Sequence, residues 1–290
     1  MTSAVTPRVI EAVQQIKRMR GGSQAHLMRA SDGNFYVTKF QNNGQHVRVL
    51  ANEFFASRIG SYLGLPVPEI AVIEVCDWLI ENTPELRMVD AGHEIPCSSG
   101  LQLASRYVDD PENTIVCDYL PENLLMEKTC NWKDLAACVV FDKWTGNTDG
   151  RQAIFVKPFN ARKFRVRLID QGHCFNCGEW TFPDLALYGV YFRNCVYQHV
   201  TGWESFEPIL SRAEQIDRDT LWNLAQGMPE EWWNRDKVPD NMPKEWWDRK
   251  FPSELARLVE TLYQRRSKIR DLITAFRESS RNPFPQWVGN

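Results

Sequence analysis

The chain has 290 residues, 43% of them hydrophobic and 24% charged, so it can build one large domain or two lobes around a sizeable core. Its 34 Lys and Arg against 37 Asp and Glu leave a net charge of -3, which excludes a broadly basic nucleic-acid coat. No apolar run reaches the ~20 residues of a membrane-spanning helix and the first stretch has no apolar signal core, so the expectation is a cytoplasmic protein with no membrane partner.

Thr6-Pro7 followed by Val9, Ile10, Val13, Ile16 and Met19 at helical spacing predicts a first helix, stopped by Gly21-Gly22. Two strand-like runs, 25–30 and 35–40, flank the turn residues Ser31-Asp32-Gly33-Asn34 and predict a hairpin. A helix is expected from Val47 to Leu63, ended by Gly64 and Pro66. Strands are expected over 70–75 and 101–108. An almost wholly apolar helix follows from Trp132 to Trp144, and such a helix must be buried. Residues 153–156 and 164–169 predict a second hairpin, the latter alternating Phe164, Val166 and Leu168 with Arg165 and Arg167. Beyond Ile209 the chain reads as helical, ending with 253–277. The expected fold class is α+β: a small β-rich N-terminal part with one helix, then a larger helical part, meeting near Asp109-Asp110-Pro111 without a long linker.

Four short stretches carry chemistry. Gly21-Gly22-Ser23-Gln24 heads the first hairpin, where glycines let backbone N–H groups approach phosphate oxygens; a plain turn has the same composition. Lys39 lies inside an apolar strand and needs an anion if buried, either Glu53 on the next helix or a nucleotide phosphate. Asn147-Thr148-Asp149 follows the buried helix and places a carboxylate on a short polar loop. Ile169-Asp170-Gln171-Gly172 ends the alternating strand with a carboxylate of the kind that binds a metal on ATP phosphates. In this order they form the set of parts that phosphoryl transfer requires.

These residues resemble the HipA-like kinase family, especially its shorter stand-alone kinase domains. Gly22-Ser23-Gln24 is similar to its G-x-Q phosphate loop, and Lys39 matches its ATP-phosphate lysine. Asn52-Glu53 with Gly64-Leu65-Pro66-Val67-Pro68 resembles its N-E-x-x-A…LGLPVP stretch. Gly146-Asn147-Thr148-Asp149 resembles its GNTD catalytic loop, and Ile169-Asp170-Gln171-Gly172 its metal-binding strand end. The match runs from about Met19 to Phe175.

The resemblance implies a two-lobed protein-kinase-like fold, N-lobe 1–108 and C-lobe 109–290, with ATP and Mg²⁺ in the cleft. It implies catalytic roles for Asp149 and Lys39, and ATP binding by Gly21, Gly22, Ser23, Gln24, Lys39 and Glu53. Ser105 and Tyr107 would lie on an interlobe strand, 103–107, holding adenine through backbone groups. Asp170 would hold the metal. Family members often read D-R-H-x-x-N after the catalytic Asp, whereas this chain reads Asp149-Gly150-Arg151-Gln152-Ala153-Ile154, leaving Gln152 as the nearest amide for a second metal. That departure keeps a partner-binding pseudokinase in view beside a kinase acting on a protein Ser/Thr hydroxyl or on a small molecule. Ser23, inside the phosphate loop, is a candidate for autophosphorylation.

Two features lie outside this set. Cys174, Cys177, Cys195 and His199 have conceivable zinc spacing, but reduced thiols, most of them buried, are the expectation for the eight cysteines. Met-Pro-Glu-Glu-Trp-Trp-Asn-Arg at 228–235 is echoed by Met-Pro-Lys-Glu-Trp-Trp-Asp-Arg at 242–249, and the Trp pairs are expected to anchor short helices to the C-lobe.

Overall fold

A computed structural model describes residues 9–234 and 254–288. The chain opens with β1 (Val9–Arg18), β2 (His26–Ala30) and β3 (Phe35–Lys39), then α1 (Arg48–Leu63) and β4 (Ile70–Val75). A short α2 (Asp77–Glu81) and a small hairpin, β5 (Arg87–Asp90) with β6 (His93–Pro96), lead to β7 (Gly100–Arg106). Strands β1, β2, β3, β7 and β4 close into a barrel in that order, the closure being a parallel pairing of β1 with β4.

The expected first helix is a strand instead. Ile10, Ala12 and Gln15 turn inward while Val9, Val13 and Ile16 stay exposed. The pairing with β2 shifts register between Ala12 and Gln14 and again between Gln15 and Lys17. Such bulges insert residues into the two-residue alternation and leave apolar positions three and four apart, which imitates a helix.

The second half contains β8 (Thr114–Cys117), α3 (Glu122–Lys128), α4 (Asp134–Thr145), β9 (Gln152–Pro158) and β10 (Arg165–Ile169). Strands β10, β9 and β8 form one antiparallel sheet. After a long irregular stretch come α5 (Ile209–Gln215), α6 (Arg218–Ala225), α7 (Glu254–Arg265) and α8 (Ile269–Arg277). The continuous helix expected at 253–277 is thus broken by a 3₁₀ turn at 266–268.

Helix α1 ties the two halves together. Leu50, Phe54, Phe55 and Ile59 are fully buried and join α4 residues such as Val140 and Phe141 in one apolar core, while Ile10, Met28, Phe40 and Ile73 form a second core within the barrel. Gly64 ends α1 in the left-handed region (φ 90), where its N–H bonds back to Ser61 and no side chain would sit without strain.

Trp232 of the first Trp pair is an anchor, but its ring and N–H meet α1 and β7 in the N-terminal part, whereas the expectation was the C-lobe. Trp232 is fully buried, meets Phe54 of α1 edge-on at 6.1 Å and donates Nε1–H to the Leu101 carbonyl at 3.0 Å. The second pair, at 246–247, lies outside the described residues. Cys174 and Cys195 are buried and Cys177 half-buried, with Cys174 against Thr145 Oγ1 at 3.4 Å; the His199 ring stands 4.5 Å from Trp132. Among the described residues, no group of three or more His, Cys, Asp or Glu side chains is arranged to hold a metal.

Candidate active site

Lys39 ends β3, and its side chain points into the molecule, 8% exposed. A buried ammonium must be paired. It is paired twice: Nζ donates to Glu53 Oε2 at 2.5 Å and to Asp170 Oδ1 at 2.8 Å. Glu53 comes from the middle of α1 and Asp170 from the end of β10, so three elements meet on one ammonium. Burial alone would depress Lys39, but the two carboxylates outweigh it and hold the group well above the ordinary lysine value. Burial likewise pushes the Asp170 carboxyl upward, but Lys39 outweighs this and holds it below the ordinary carboxylate range. Glu53, more deeply buried, is pushed upward by burial, with Lys39 opposing. Asp170 sits at φ 60, a left-handed backbone that Asp tolerates better than most residues.

The catalytic-loop residues follow α4, which stops at Gly146 in the left-handed region (φ 61). Asn147 Nδ2–H bonds to Asp142 Oδ1 at 2.9 Å, while its Oδ1 accepts the Asp149 N–H at 3.1 Å. Asp142 is held in turn by Arg151: Nε donates to Oδ2 at 3.0 Å and Nη2 donates to Oδ1. Both side chains of this pair are 1% exposed. Arg151 also donates to the Ile169 carbonyl at 2.9 Å and to Gln171 Oε1, on either side of Asp170. One buried guanidinium therefore fixes the Asp149 loop relative to the Asp170 strand end. The sequence reading passed over Asp142 and Arg151; a lone Asp inside an apolar helix was the signal for the first.

Gln152 opens β9 and reaches both carboxylates. Its Nε2 lies 3.3 Å from Asp149 Oδ2 and 3.3 Å from Asp170 Oδ2. With the amide turned over, its oxygen would stand beside the two carboxylates. Such an all-oxygen set suits Mg²⁺, which takes one or two carboxylates and completes its shell with water and phosphate.

Other sequence-predicted residues are placed as follows. Gly21 (φ 124), Gly22, Ser23 and Gln24 (φ 49) form the β1–β2 turn, with Ser23 half-buried. A Cβ on Gly22 would lie 3.3 Å from Gln45 Nε2, and Gln45 Nε2 is 3.3 Å from His173 Nε2, so Gln45 links the turn to the segment after Asp170. The Gln24 side chain faces away, bonded to Arg18 and to both the N–H and C=O of Val89 at 2.7 Å. Ser105 Oγ is 3.4 Å from Glu53 Oε1, behind the lysine.

The backbone of 103–106 is taken up on both sides by β3 and β4. The Tyr107 N–H bonds Phe35 O at 2.9 Å, and its carbonyl accepts from Arg167 at 2.5 Å. The strand expected to hold adenine therefore has its backbone groups engaged, because β7 is an interior strand of the barrel. Just beyond it, a cavity of about 450 Å³ is lined by Val108, Asp109, Thr114, Val156, Arg165 and Arg167 among others. The register pairs Arg165 with Val156, Arg167 with Ile154 and Ile169 with Gln152, so these alternate residues share one face of the sheet. The cavity and Gln152 thus lie at two ends of the same face, while Phe155, Val166 and Leu168 on the other face are buried in the core.

A β-barrel N-terminal part, a helix glutamate paired with a strand lysine, and two carboxylates from the second half of the chain mark a kinase-like, two-lobed fold. The HipA-like kinase family model matches residues 9–266, and the chain belongs to that family. No curated protein matches it by sequence. Among solved structures it is similar to the Helicobacter pylori proinflammatory kinase CtkA at 13% identity and TM-score 0.51, covering 94% of this chain and 100% of that one. The Golgi casein kinase is similar at 12% identity and TM-score 0.50, with 94% and 74% covered. The Shewanella oneidensis MR-1 HipA, seen with HipB and operator DNA, gives 12% identity and TM-score 0.47, with 92% and 69% covered. At these identities the likeness concerns the fold. No helix among the described residues is long and apolar enough to cross a membrane.

Proposed function

We propose that the protein is an ATP- and Mg²⁺-dependent phosphotransferase that moves the γ-phosphoryl group to a hydroxyl of a protein Ser or Thr. The single observation that carries this reading is Lys39 held between Glu53 and Asp170 at 2.5 and 2.8 Å. An ammonium fixed by a helix carboxylate can neutralise phosphate oxygens, while the second carboxylate is free to turn to a metal. The nucleotide would lie along the Gln152–Val156 face of the sheet, its base in the cavity beside Val108 and Asp109 and its phosphates beneath the turn at 21–24.

Asp149 orients the acceptor hydroxyl and receives its proton as the hydroxyl oxygen bonds to the γ-phosphorus and the bond to the β–γ bridging oxygen breaks. The Asn147 side chain fixes the Asp149 backbone and so aims its carboxylate. Asp170 and the Gln152 amide would hold Mg²⁺, which when bound neutralises charge on the phosphate oxygens. The altered sequence after Asp149 is compatible with this role, since Gln152 reaches both carboxylates.

The test supplies ATP labelled at the γ- or at the α-phosphate, with Mg²⁺, to a degenerate Ser/Thr peptide library. Incorporation of γ-label alone, abolished by Asp149→Asn, supports the reading. Incorporation of α-label would mean nucleotide transfer. No incorporation, with ATP still bound, would contradict the protein-kinase reading and leave a small-molecule kinase or a partner-binding pseudokinase.

A further inference from the structure

We propose that Asn52 is a positioning residue: its buried amide fastens the segment after Asp170 to the helix that carries Glu53, and so sets the metal carboxylate against the phosphate lysine. This rests on the phosphotransferase reading above.

Asn in the middle of a helix is a poor helix former, and a fully buried amide is costly unless bonded. Asn52 is fully buried, and both ends of its amide are used. Nδ2 donates to the Gly172 carbonyl at 2.9 Å and to the Cys177 carbonyl at 2.6 Å, while Oδ1 accepts from Trp180 Nε1 at 2.7 Å. All three partners follow Asp170 within ten residues. The same helix face continues the attachment. A Cβ on Gly172 would lie 2.5 Å from Val49 Cγ1, so the Gly172 backbone packs directly on the Val49 side chain of α1 and leaves no room for a side chain of its own. Arg48 donates to the Gly178 carbonyl at 2.9 Å and stacks on Trp180 at 4.8 Å.

The other edge of the segment is joined to the catalytic loop. Thr148 N–H bonds the His173 carbonyl at 3.2 Å, and Phe175 N–H bonds the Thr145 carbonyl at 2.8 Å. The segment is therefore the middle layer between the Glu53 helix and Asp149.

Asn52 and Glu53 are neighbours on α1 whose side chains diverge, one to the Asp170 segment and one to Lys39. Since Lys39 also bonds Asp170, the contacts close a ring: Glu53, Lys39, Asp170, Gly172, Asn52. When Lys39 turns to a phosphate and Asp170 to a cation, the Lys39–Asp170 bond of that ring is given up. The Asn52 bond to Gly172 is then the tether that lies closer to Asp170 than the Arg48 bond to Gly178. Its importance should appear in metal binding more than in bare nucleotide binding.

The experiment compares wild type, Asn52→Leu, Gly172→Ala and Gly172→Ala/Val49→Ala. Hydrogen exchange without ligand reads peptides covering 170–177, with α8 as the control. Thermal shift with ATP reads the Mg²⁺ concentration at half-maximal effect. Asn52→Leu is expected to speed exchange at 170–177 and leave α8 unchanged. It is also expected to raise the Mg²⁺ midpoint about tenfold or more, as loss of a residue supporting a metal ligand does elsewhere, and to leave ATP binding without metal unchanged. Gly172→Ala should act in the same direction, with recovery when Val49→Ala opens the space; this pair also serves if Asn52→Leu does not fold. An unchanged midpoint in folded Asn52→Leu, or no recovery in the double variant, overturns the proposal. If the wild type itself shows no metal-dependent ATP response, the phosphotransferase reading fails, and the exchange data alone decide whether the tether exists.

Discussion

Replacing Arg151 by Met should destabilise the protein and disable its metal site together. Arg151 and Asp142 are each 1% exposed and bonded through both carboxylate oxygens. Removing one member of such a pair leaves a buried charge uncompensated, which costs about 3–5 kcal/mol. With an unfolding entropy of roughly 2.1 cal/mol/K per residue, a chain of 290 residues loses about 5–8 °C in Tm for that change. Asp142→Leu should cost a similar amount, because it leaves the guanidinium unpaired and also removes the acceptor for Asn147. The double variant should cost clearly less than the sum, since an apolar pair of similar volume is tolerated where a single charge is not. Urea denaturation of the four proteins measures this. Single costs below about 1 kcal/mol, or costs that add within about 0.5 kcal/mol, would refute the reasoning that one buried ion pair holds the two loops.

Gln152→Ala should weaken the Mg²⁺ dependence of ATP binding and leave metal-free ATP binding intact, whereas Gln152→Asn should fall between; calorimetric titration in the presence and absence of metal checks both. Asp149→Asn should bind ATP with Mg²⁺ as well as wild type but lose transfer by about 10²-fold or more, as expected for removal of a general base; equal transfer in single-turnover measurements would remove Asp149 from that role.

Lys143 gives a pH prediction. Burial depresses it to about 8, against the pull of Asp142 and Asp184. The unfolded chain therefore binds more protons between about 8 and the ordinary 10.5. Stability relative to Lys143→Met should rise with pH across that window, by up to about 3 kcal/mol. A flat difference would mean that the three carbonyls it bonds, Leu185, Ala186 and Tyr188, keep it charged.

Much of the fold could be read from local signals. The hairpin of β2 and β3, the helix α1 with its glycine stop, the buried α4 and the alternating β10 each carry their own period or cap, and each forms where expected. Strand β1 was misread because its bulges break the alternation. The β5–β6 hairpin, β8 and α3 escaped notice because they are short and at most partly buried over most of their length, so no apolar period marks them. The site shows the same division. Lys39, Glu53 and Asp170 were legible as charges placed in apolar or strand-end positions, and the structure brings them together. The roles of the supporting residues were less legible. Asn52 stands in a family motif and Asp142 is a charge in an apolar helix, but the carbonyls that Asn52 holds lie 120 and 125 residues away, and nothing in the sequence pairs Asp142 with Arg151. The backbone of β7 could not be judged free or engaged until its place inside the barrel was known.

The most direct test of the account is the thermal shift with ATP and Mg²⁺, added separately and together, on wild type, Lys39→Met and Asp170→Asn. A ligand that binds only the folded state raises its Tm by mass action. Because Lys39 outweighs burial and holds the Asp170 carboxyl below its ordinary range, protonation of Asp170 itself should not limit the response between neutral and mildly acid pH. The account predicts a shift with ATP that grows when Mg²⁺ is added in the wild type, loses its metal-dependent part in Asp170→Asn and nearly vanishes in Lys39→Met. A shift of equal size in all three proteins, or none in any, would contradict the claim that these residues form a nucleotide and metal site.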